Sequence, residues 1–209
     1  MLIDILRTKY EDNEPIYLED AIDVMNVTST YGRSLMSRWV KEGVLRRFDR
    51  GVYYFPKKSS LFGEAPFDSQ RVVIDKFIGK KEAPIGYYAD FSLANMAGIT
   101  TQVPQKTIIV TNAESGERRR EVTIGKQKIL VSRPKKTITK ENVAALSLLD
   151  LISVANKYSE LSKDETIEKV QRFAVRAKVT WQQIKENIDA YPTKVSQELI
   201  RMELYNVLT

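Results

Sequence analysis

The sequence predicts an α+β protein with an N-terminal winged helix-turn-helix, a mixed α/β segment and a C-terminal helical bundle. Three observations support this fold class. The first 58 residues read as three short helices followed by two short strands, joined by short loops. Charge changes sign inside this stretch: residues 1–27 contain 2 basic and 7 acidic residues, whereas residues 28–58 contain 8 basic and 2 acidic residues. From residue 139 onward the apolar periodicity is helical throughout.

The N-terminal elements follow from apolar spacing. Apolar residues on one side predict helices over 2–10, 18–25 and 29–42, and Gly43 ends the third. Hydroxyl side chains at 28–30 are suited to cap that third helix. Two strands are expected over 44–48 and 52–55, with a tight turn at Asp49-Arg50-Gly51 between them.

The middle of the chain alternates helices and strands. Helices are predicted over 69–78 and 87–97, a buried strand over 107–110, and a hairpin from strands 121–124 and 128–131. Residues 133–136 read as a linker. Beyond it, capping boxes at Ser162–Glu165 and Thr180–Gln183 begin two helices, and Pro192 opens a last helix running to about residue 207. We therefore expect a DNA-binding domain over 1–58 and a second domain over 59–209, with an α/β part at 59–137 and a helical part at 138–209.

Composition excludes most catalytic chemistry. The chain of 209 residues has no cysteine and no histidine, which removes zinc–thiolate sites, histidine bases and thiol nucleophiles. No Gly-Ser turn with paired acids follows a strand, and no phosphate-binding loop is present. We expect no enzyme activity, no metal and no cofactor. The N-terminus lacks a secretory signal and no apolar run is long enough to span a bilayer, so a cytoplasmic protein without membrane contact is expected.

The third helix and the hairpin contain the residues expected to bind double-stranded DNA. The apolar stripe of the helix faces the core, so the opposite face is free to enter the major groove, and a basic hairpin suits the minor groove or backbone. Arg33 suits guanine, Ser34 and Ser37 suit base edges or phosphate, and Arg38 and Lys41 suit phosphate. The open alternative is a solvated helix face. The predicted contact residues are Thr30, Tyr31, Arg33, Ser34, Ser37, Arg38, Lys41, Arg46, Arg47 and Arg50.

Several motifs resemble the AbiE-type antitoxins, the regulator halves of type IV toxin–antitoxin and phage-abortive-infection systems. The run from Gly51 to Pro56 follows the winged helix, and the stretch from Asn95 to Pro104 is the most specific part of the likeness. Thr111-Asn112, the strands around Gly125 and Leu148-Leu149-Asp150 follow in the family's order. The likeness covers about residues 1–155; Leu93-Ala94 stands where the family commonly has Ala-Leu.

This resemblance implies a repressor that binds inverted repeats in the promoter of its own operon. It further implies antitoxin activity against a nucleotidyltransferase-like toxin, without a required stable complex. The alternative is a protein-interaction module that neutralises a toxin by direct binding, without sequence-specific DNA binding.

The remaining candidate residues have two interpretations each. The family motif residues either close a tight helix-to-strand connection or contact a partner directly; they are Gly98, Thr100, Thr101, Gln102 and Pro104. Two further basic groups form either a second antitoxin or nucleic-acid surface, or solvated faces. They are Arg118, Arg119 and Arg120, and Lys169, Arg172 and Arg176.

Overall fold

A computed structural model describes residues 1–59 and 63–208 and confirms a mixed α+β protein. The chain divides into two compact units, Met1–Val72 and Val73–Thr209. This division lies beyond residue 58 because the segment that follows packs back on the first unit. Phe67 stacks on Tyr54 with ring centroids 4.4 Å apart, and Arg71 pairs with Glu14 at 3.1 Å.

The first unit combines three helices with a small antiparallel sheet in the order β1-β3-β2. Its helices are α1 (Leu2–Lys9), α2 (Leu18–Met25) and α3 (Ser29–Lys41). Its strands are β1 (Ile16–Tyr17), β2 (Arg46–Asp49) and β3 (Val52–Tyr54), followed by the pair β4 (Lys58–Ser59) and β5 (Gly63–Glu64). The three predicted helices and the predicted hairpin are present. The sequence pattern does not predict β1, because two residues are too few to show periodicity.

Helices α2 and α3 approach closely at Gly32. A Cβ atom there would lie 2.5 Å from Ile22 Cγ1, so glycine allows the crossing. Asn26 adopts the left-handed conformation (φ 52°) directly after α2, and the Thr28 side chain accepts from the Tyr31 N–H to cap α3. The core beneath these helices is fully apolar, with Leu6 and Phe55 inaccessible to solvent.

The second unit is built on a four-stranded sheet in the order β10-β11-β9-β8, in which only β11 and β9 are parallel. Its strands are β8 (Gly86–Tyr88), β9 (Thr107–Thr111), β10 (Arg120–Ile124) and β11 (Gln127–Ser132). The helix α4 (Ser69–Val73) crosses the boundary between the two units in the sequence. After it, and before the sheet, come a π-helical turn (Ile74–Ile78) and the strand pair β6 (Gly79–Lys80) and β7 (Ala83–Pro84).

The predicted helix over 87–97 is wrong in its first part. Tyr87 and Tyr88 belong to β8, which pairs with β9, and the helix α5 (Asp90–Met96) starts only afterwards. Asp90 takes a positive φ of 54° between the two elements. Strand pairing overrides the helical spacing because Ala89 N–H also donates to Ile108 O at 2.9 Å.

The sheet buries residues on both faces. Tyr87, Ile108 and Val110 face the helices and belong to the main core, whereas Ile109 and Val131 lie on the opposite face and are fully buried. The π-helical turn contacts β8 and β9. This double burial explains why the strand at 107–111 reads as a continuous apolar run rather than an alternating one.

The C-terminal helices surround α6 (Val143–Tyr158), which contacts each of the others and α5. They are α7 (Lys163–Arg176), α8 (Trp181–Asn187) and α9 (Thr193–Arg201). Both predicted capping boxes are confirmed. The last helix ends at Arg201 rather than near residue 207, because Glu203 takes φ 50° and a 3-10 turn (Leu204–Asn206) follows. No helix in the described parts of the chain is long and apolar enough to cross a membrane.

Candidate nucleic-acid interface

Helix α3 separates an apolar face from a polar one. Leu35, Met36 and Trp39 are buried in the core of the first unit. All seven predicted contact residues on this helix are exposed on the other side. They are Thr30, Tyr31, Arg33, Ser34, Ser37, Arg38 and Lys41.

The cations on this exposed face have no partner in the part of the chain that the structure describes. Within residues 1–59 and 63–208, Arg33, Arg38 and Lys41 form neither an ion pair nor a side-chain hydrogen bond. Their charges are therefore available to an external anion. At the start of the helix, the Thr28 hydroxyl oxygen already accepts the capping hydrogen bond from the Tyr31 N–H at 3.4 Å.

The hairpin presents two exposed arginines near its turn. Arg50 lies in the turn, where its N–H donates to Asp49 Oδ1 at 2.7 Å and Gly51 takes φ 72°. Arg47 Nε donates to Asp49 O at 3.3 Å, across an irregularity in the β2–β3 pairing. Through these two contacts Asp49 helps to fix the turn.

Arg46 differs from the other cations of the hairpin. Its guanidinium makes two contacts to Glu64, Nη2 to Oε1 at 2.6 Å and Nε to Oε2 at 3.2 Å, and it also donates to Gly43 O at 3.2 Å. Strand β5 brings Glu64 to this position. The charge of Arg46 is thus compensated internally, and its availability to DNA is lower than the sequence suggests.

The two additional basic groups do not form single patches. Arg119 pairs with Asp90 at 2.5 Å and Arg120 with Glu114 at 2.8 Å, which leaves Arg118 without a partner in the described residues. Burial opposes ionisation of Asp90, but contacts with Tyr158 and Arg119 outweigh it and lower the pKa of this carboxyl. Much of this positive charge is therefore compensated within the second unit.

On α7 the basic residues also differ from one another. Arg172 pairs with Glu168 one turn away, and Arg176 is exposed without a partner in the described residues. Lys169 lies beside Gly98, where a Cβ atom would be 3.4 Å from its Nζ. A cation here is favourable because Gly98 follows the carboxyl end of α5.

The motif from Gly98 to Pro104 closes a helix and ties down a loop. Gly98 has φ 71°, its N–H donates to Asn95 O, and Ile99 N–H donates to Ala94 O, which is a Schellman ending with Ile99 fully buried. Asn95 Nδ2 then donates to Gln102 O at 2.9 Å. These contacts favour the structural interpretation of the motif.

Glu160 holds the same loop from the α6–α7 connection. It accepts from the N–H and Oγ1 of Thr101, both at 2.9 Å, and from Gln102 Nε2 at 2.5 Å. The backbone bond from Thr101, followed by the Gln102 amide, lowers the pKa of Glu160. Pro104 is half-buried and follows this network into β9.

The second unit contains a buried polar cluster that the sequence pattern does not predict. Asp150 on α6 accepts from Tyr87 OH at 2.7 Å and from Lys135 Nζ at 2.5 Å. Burial first, and the Asp150 carboxylate second, raise the pKa of Tyr87 and of Tyr191, so both phenols stay protonated. One feature of the sequence points to this cluster: Asp150 lies within the most apolar helix, where an unpaired charge would be costly, so a partner is to be expected.

The comparisons with known proteins identify a family but no activity. A model of a family of unknown function, DUF6088, matches residues 5–181, so the chain belongs to this family. No curated protein matches the sequence significantly. Among solved structures, the RV2827C protein from Mycobacterium tuberculosis is similar, with a TM-score of 0.40 and 12% identity over 95% of this chain and 79% of that one.

Proposed function

We propose that this member of the DUF6088 family is a DNA-binding transcriptional repressor of its own operon and an antitoxin. Its first unit would be a winged helix-turn-helix, with α3 as the recognition helix and β2–β3 as the wing. The cytoplasm is the expected location. Double-stranded DNA, in the form of inverted repeats, is the expected ligand.

The order of elements supports the winged-helix assignment. A turn of Asn26, Val27 and Thr28 joins α2 to α3, which is the short connection that helix-turn-helix units use. A hairpin follows α3 at once, and its second strand is anchored to β1. Gly32 lets the two helices cross closely.

The observation that carries the proposal is the unpaired basic face of α3. Arg33, Arg38 and Lys41 stand exposed, without anionic partners among the described residues. In a major groove, Arg33 on the N-terminal part of the helix would reach a guanine, while Arg38 and Lys41 would meet phosphates. Arg47 and Arg50 on the wing would add further phosphate contacts.

Binding to DNA is tested with a labelled duplex taken from upstream of the gene and with a shuffled duplex of equal length. We expect Arg33→Ala to weaken binding to the upstream duplex by about 1–3 kcal/mol and the shuffled duplex by less. The matched control is Lys126→Ala, which removes from the β10–β11 turn an exposed cation that has no ion pair within the described residues. Equal loss on both duplexes would show that Arg33 touches only phosphate. Failure of the wild type to prefer any segment of the upstream region would overturn the repressor assignment.

The antitoxin half of the proposal rests on the AbiE-like motifs alone. A nucleotidyltransferase-like toxin encoded beside this gene would be the functional partner. Co-expression of the neighbouring gene product with the wild type should restore growth, and an Arg33→Ala, Arg38→Ala double variant should still do so because the DNA-reading helix is not the expected antitoxin surface. A tight complex in a pull-down, together with no operator binding, would favour the direct-binding alternative.

A further inference from the structure

The second unit has an open surface cavity of about 410 Å³, within the range that small-molecule sites occupy. Helix α6, the start of α9 and the segment after β11 line it. Ile152, Pro192 and Val195 form an apolar side, whereas Asn156 and several charged residues form a polar side. The cavity is therefore amphipathic, with room for one ring system and a polar group.

Its charged lining favours an anion. Lys135, Lys157 and Lys194 face a single acid, Glu198, so the lining carries a net charge of 3 − 1 = +2. Asp150 balances Lys135, and Arg201 balances Glu198 at 2.9 Å. Lys194 is exposed and has no ion pair or hydrogen bond within the described residues. This lysine is the cation left for a ligand.

Asn156 is held in one orientation on the polar side. Its Nδ2 donates to Glu198 Oε2 at 2.9 Å, and the other oxygen of this buried carboxylate accepts from Arg201. This bond fixes which end of the amide is nitrogen. One N–H and the Oδ1 of Asn156 then remain without a partner in the described residues, a pairing that complements the N7 and amino group of adenine.

We propose that this cavity binds an adenine nucleoside monophosphate. The base lies against the apolar side with its edge on Asn156, and the phosphate meets Lys194. Nothing in this assignment depends on DNA binding or antitoxin activity.

The test is calorimetric titration of the full chain with AMP and with IMP, which has the same charge but carries an oxygen where AMP has its amino group. We expect AMP to bind with a Kd of about 1 mM or tighter, and IMP to bind about tenfold more weakly. Lys194→Ala should weaken AMP binding about tenfold, since it removes a charged hydrogen-bond donor. Asn156→Ala should abolish the preference for AMP over IMP.

Lys126→Ala is the matched control, because it removes an exposed cation of the same unit that does not line the cavity, and it should leave AMP affinity unchanged. Amide-shift mapping on the wild type locates the ligand independently of any variant, with changes expected at 152–157 and 191–198. No saturable AMP binding up to about 5 mM, shifts elsewhere, or full affinity in Lys194→Ala would overturn the site. Equal affinity for AMP and IMP would overturn the role of Asn156.

Discussion

If the proposed DNA binding is correct, its salt dependence will separate two arginines of the hairpin that look equivalent in the sequence. Arg46 and Arg50 both lie in the β2–β3 hairpin. Arg50 is exposed in the turn without an ion-pair partner in the described residues. Arg46, in contrast, donates two hydrogen bonds to the Glu64 carboxylate, from Nη2 at 2.6 Å and from Nε at 3.2 Å. We expect these two arginines to differ in the number of counterions that their DNA contact releases.

The magnitude follows from counterion release. Each phosphate neutralised on duplex DNA contributes about 0.9 to the slope of log Kobs against log salt. Arg50→Ala should therefore reduce the slope by about 0.9. Arg46→Ala should reduce it far less, because Glu64 already compensates this charge. Glu64→Gln releases Arg46 and should steepen the slope.

The assay is fluorescence anisotropy with the upstream duplex at four or more salt concentrations, for the wild type and the three variants. Lys9→Ala controls for a change in overall charge, because it removes from α1 of the same unit an exposed cation that has no ion pair among residues 1–59 and 63–208. Equal slope changes for Arg46→Ala and Arg50→Ala would refute the reasoning that the Glu64 contact withholds Arg46 from DNA. An unchanged slope in Arg50→Ala would refute the assignment of the β2–β3 hairpin as a wing that contacts DNA.

Three further predictions concern the second unit. Gly86→Ala should lower the unfolding free energy of the second unit by about 3 kcal/mol or more in chemical denaturation, since a Cβ atom would lie 1.9 Å from Phe77 O. An unchanged denaturation midpoint would contradict this close approach of the Phe77 backbone to Gly86. Tyr87→Phe should cost about 1.5–3 kcal/mol, because Asp150 loses a charge-assisted donor in a buried site, while Tyr205→Phe, at an exposed tyrosine, should be neutral. The pKa of Glu160 is lowered in the folded chain, so its network stabilises above the ordinary value of 4.5 and is lost as pH falls through the lower folded value. Thermal melts from pH 6 to about 3 should thus fall less steeply for Glu160→Gln than for the wild type, and parallel curves would show that the carboxylate contributes nothing.

Sequence reasoning succeeded where a local pattern fixes a local structure. The periodicity of 18–25 matches α2, and the capping boxes at Ser162 and Thr180 mark true helix starts. It failed at Tyr87 and Tyr88, whose spacing suits a helix but whose backbone pairs with a strand more than twenty residues away. Only tertiary contacts determine such a choice.

The same distinction applies to the candidate interface. The exposed face of α3 was predictable, because the positions of Leu35, Met36 and Trp39 fix the opposite side. The compensation of Arg46 was not, because Glu64 reaches it only through the β4–β5 strand pair. The Asp150 cluster likewise joins residues from β8, the segment after β11 and α6.

The return of residues 63–72 onto the first unit determines how a minimal DNA-binding fragment must be cut. A fragment ending at residue 58 would keep every proposed DNA contact yet lose Phe67, leaving Phe48 and Tyr54 uncovered, and would strip the counter-charge from Arg46. Such a fragment would expose the aromatic side chains of Phe48 and Tyr54 to solvent and would leave the charge of Arg46 uncompensated. Under the proposed function, its non-specific affinity for DNA would exceed that of the intact protein, whereas a fragment ending at residue 72 would keep the selectivity proposed for the intact chain.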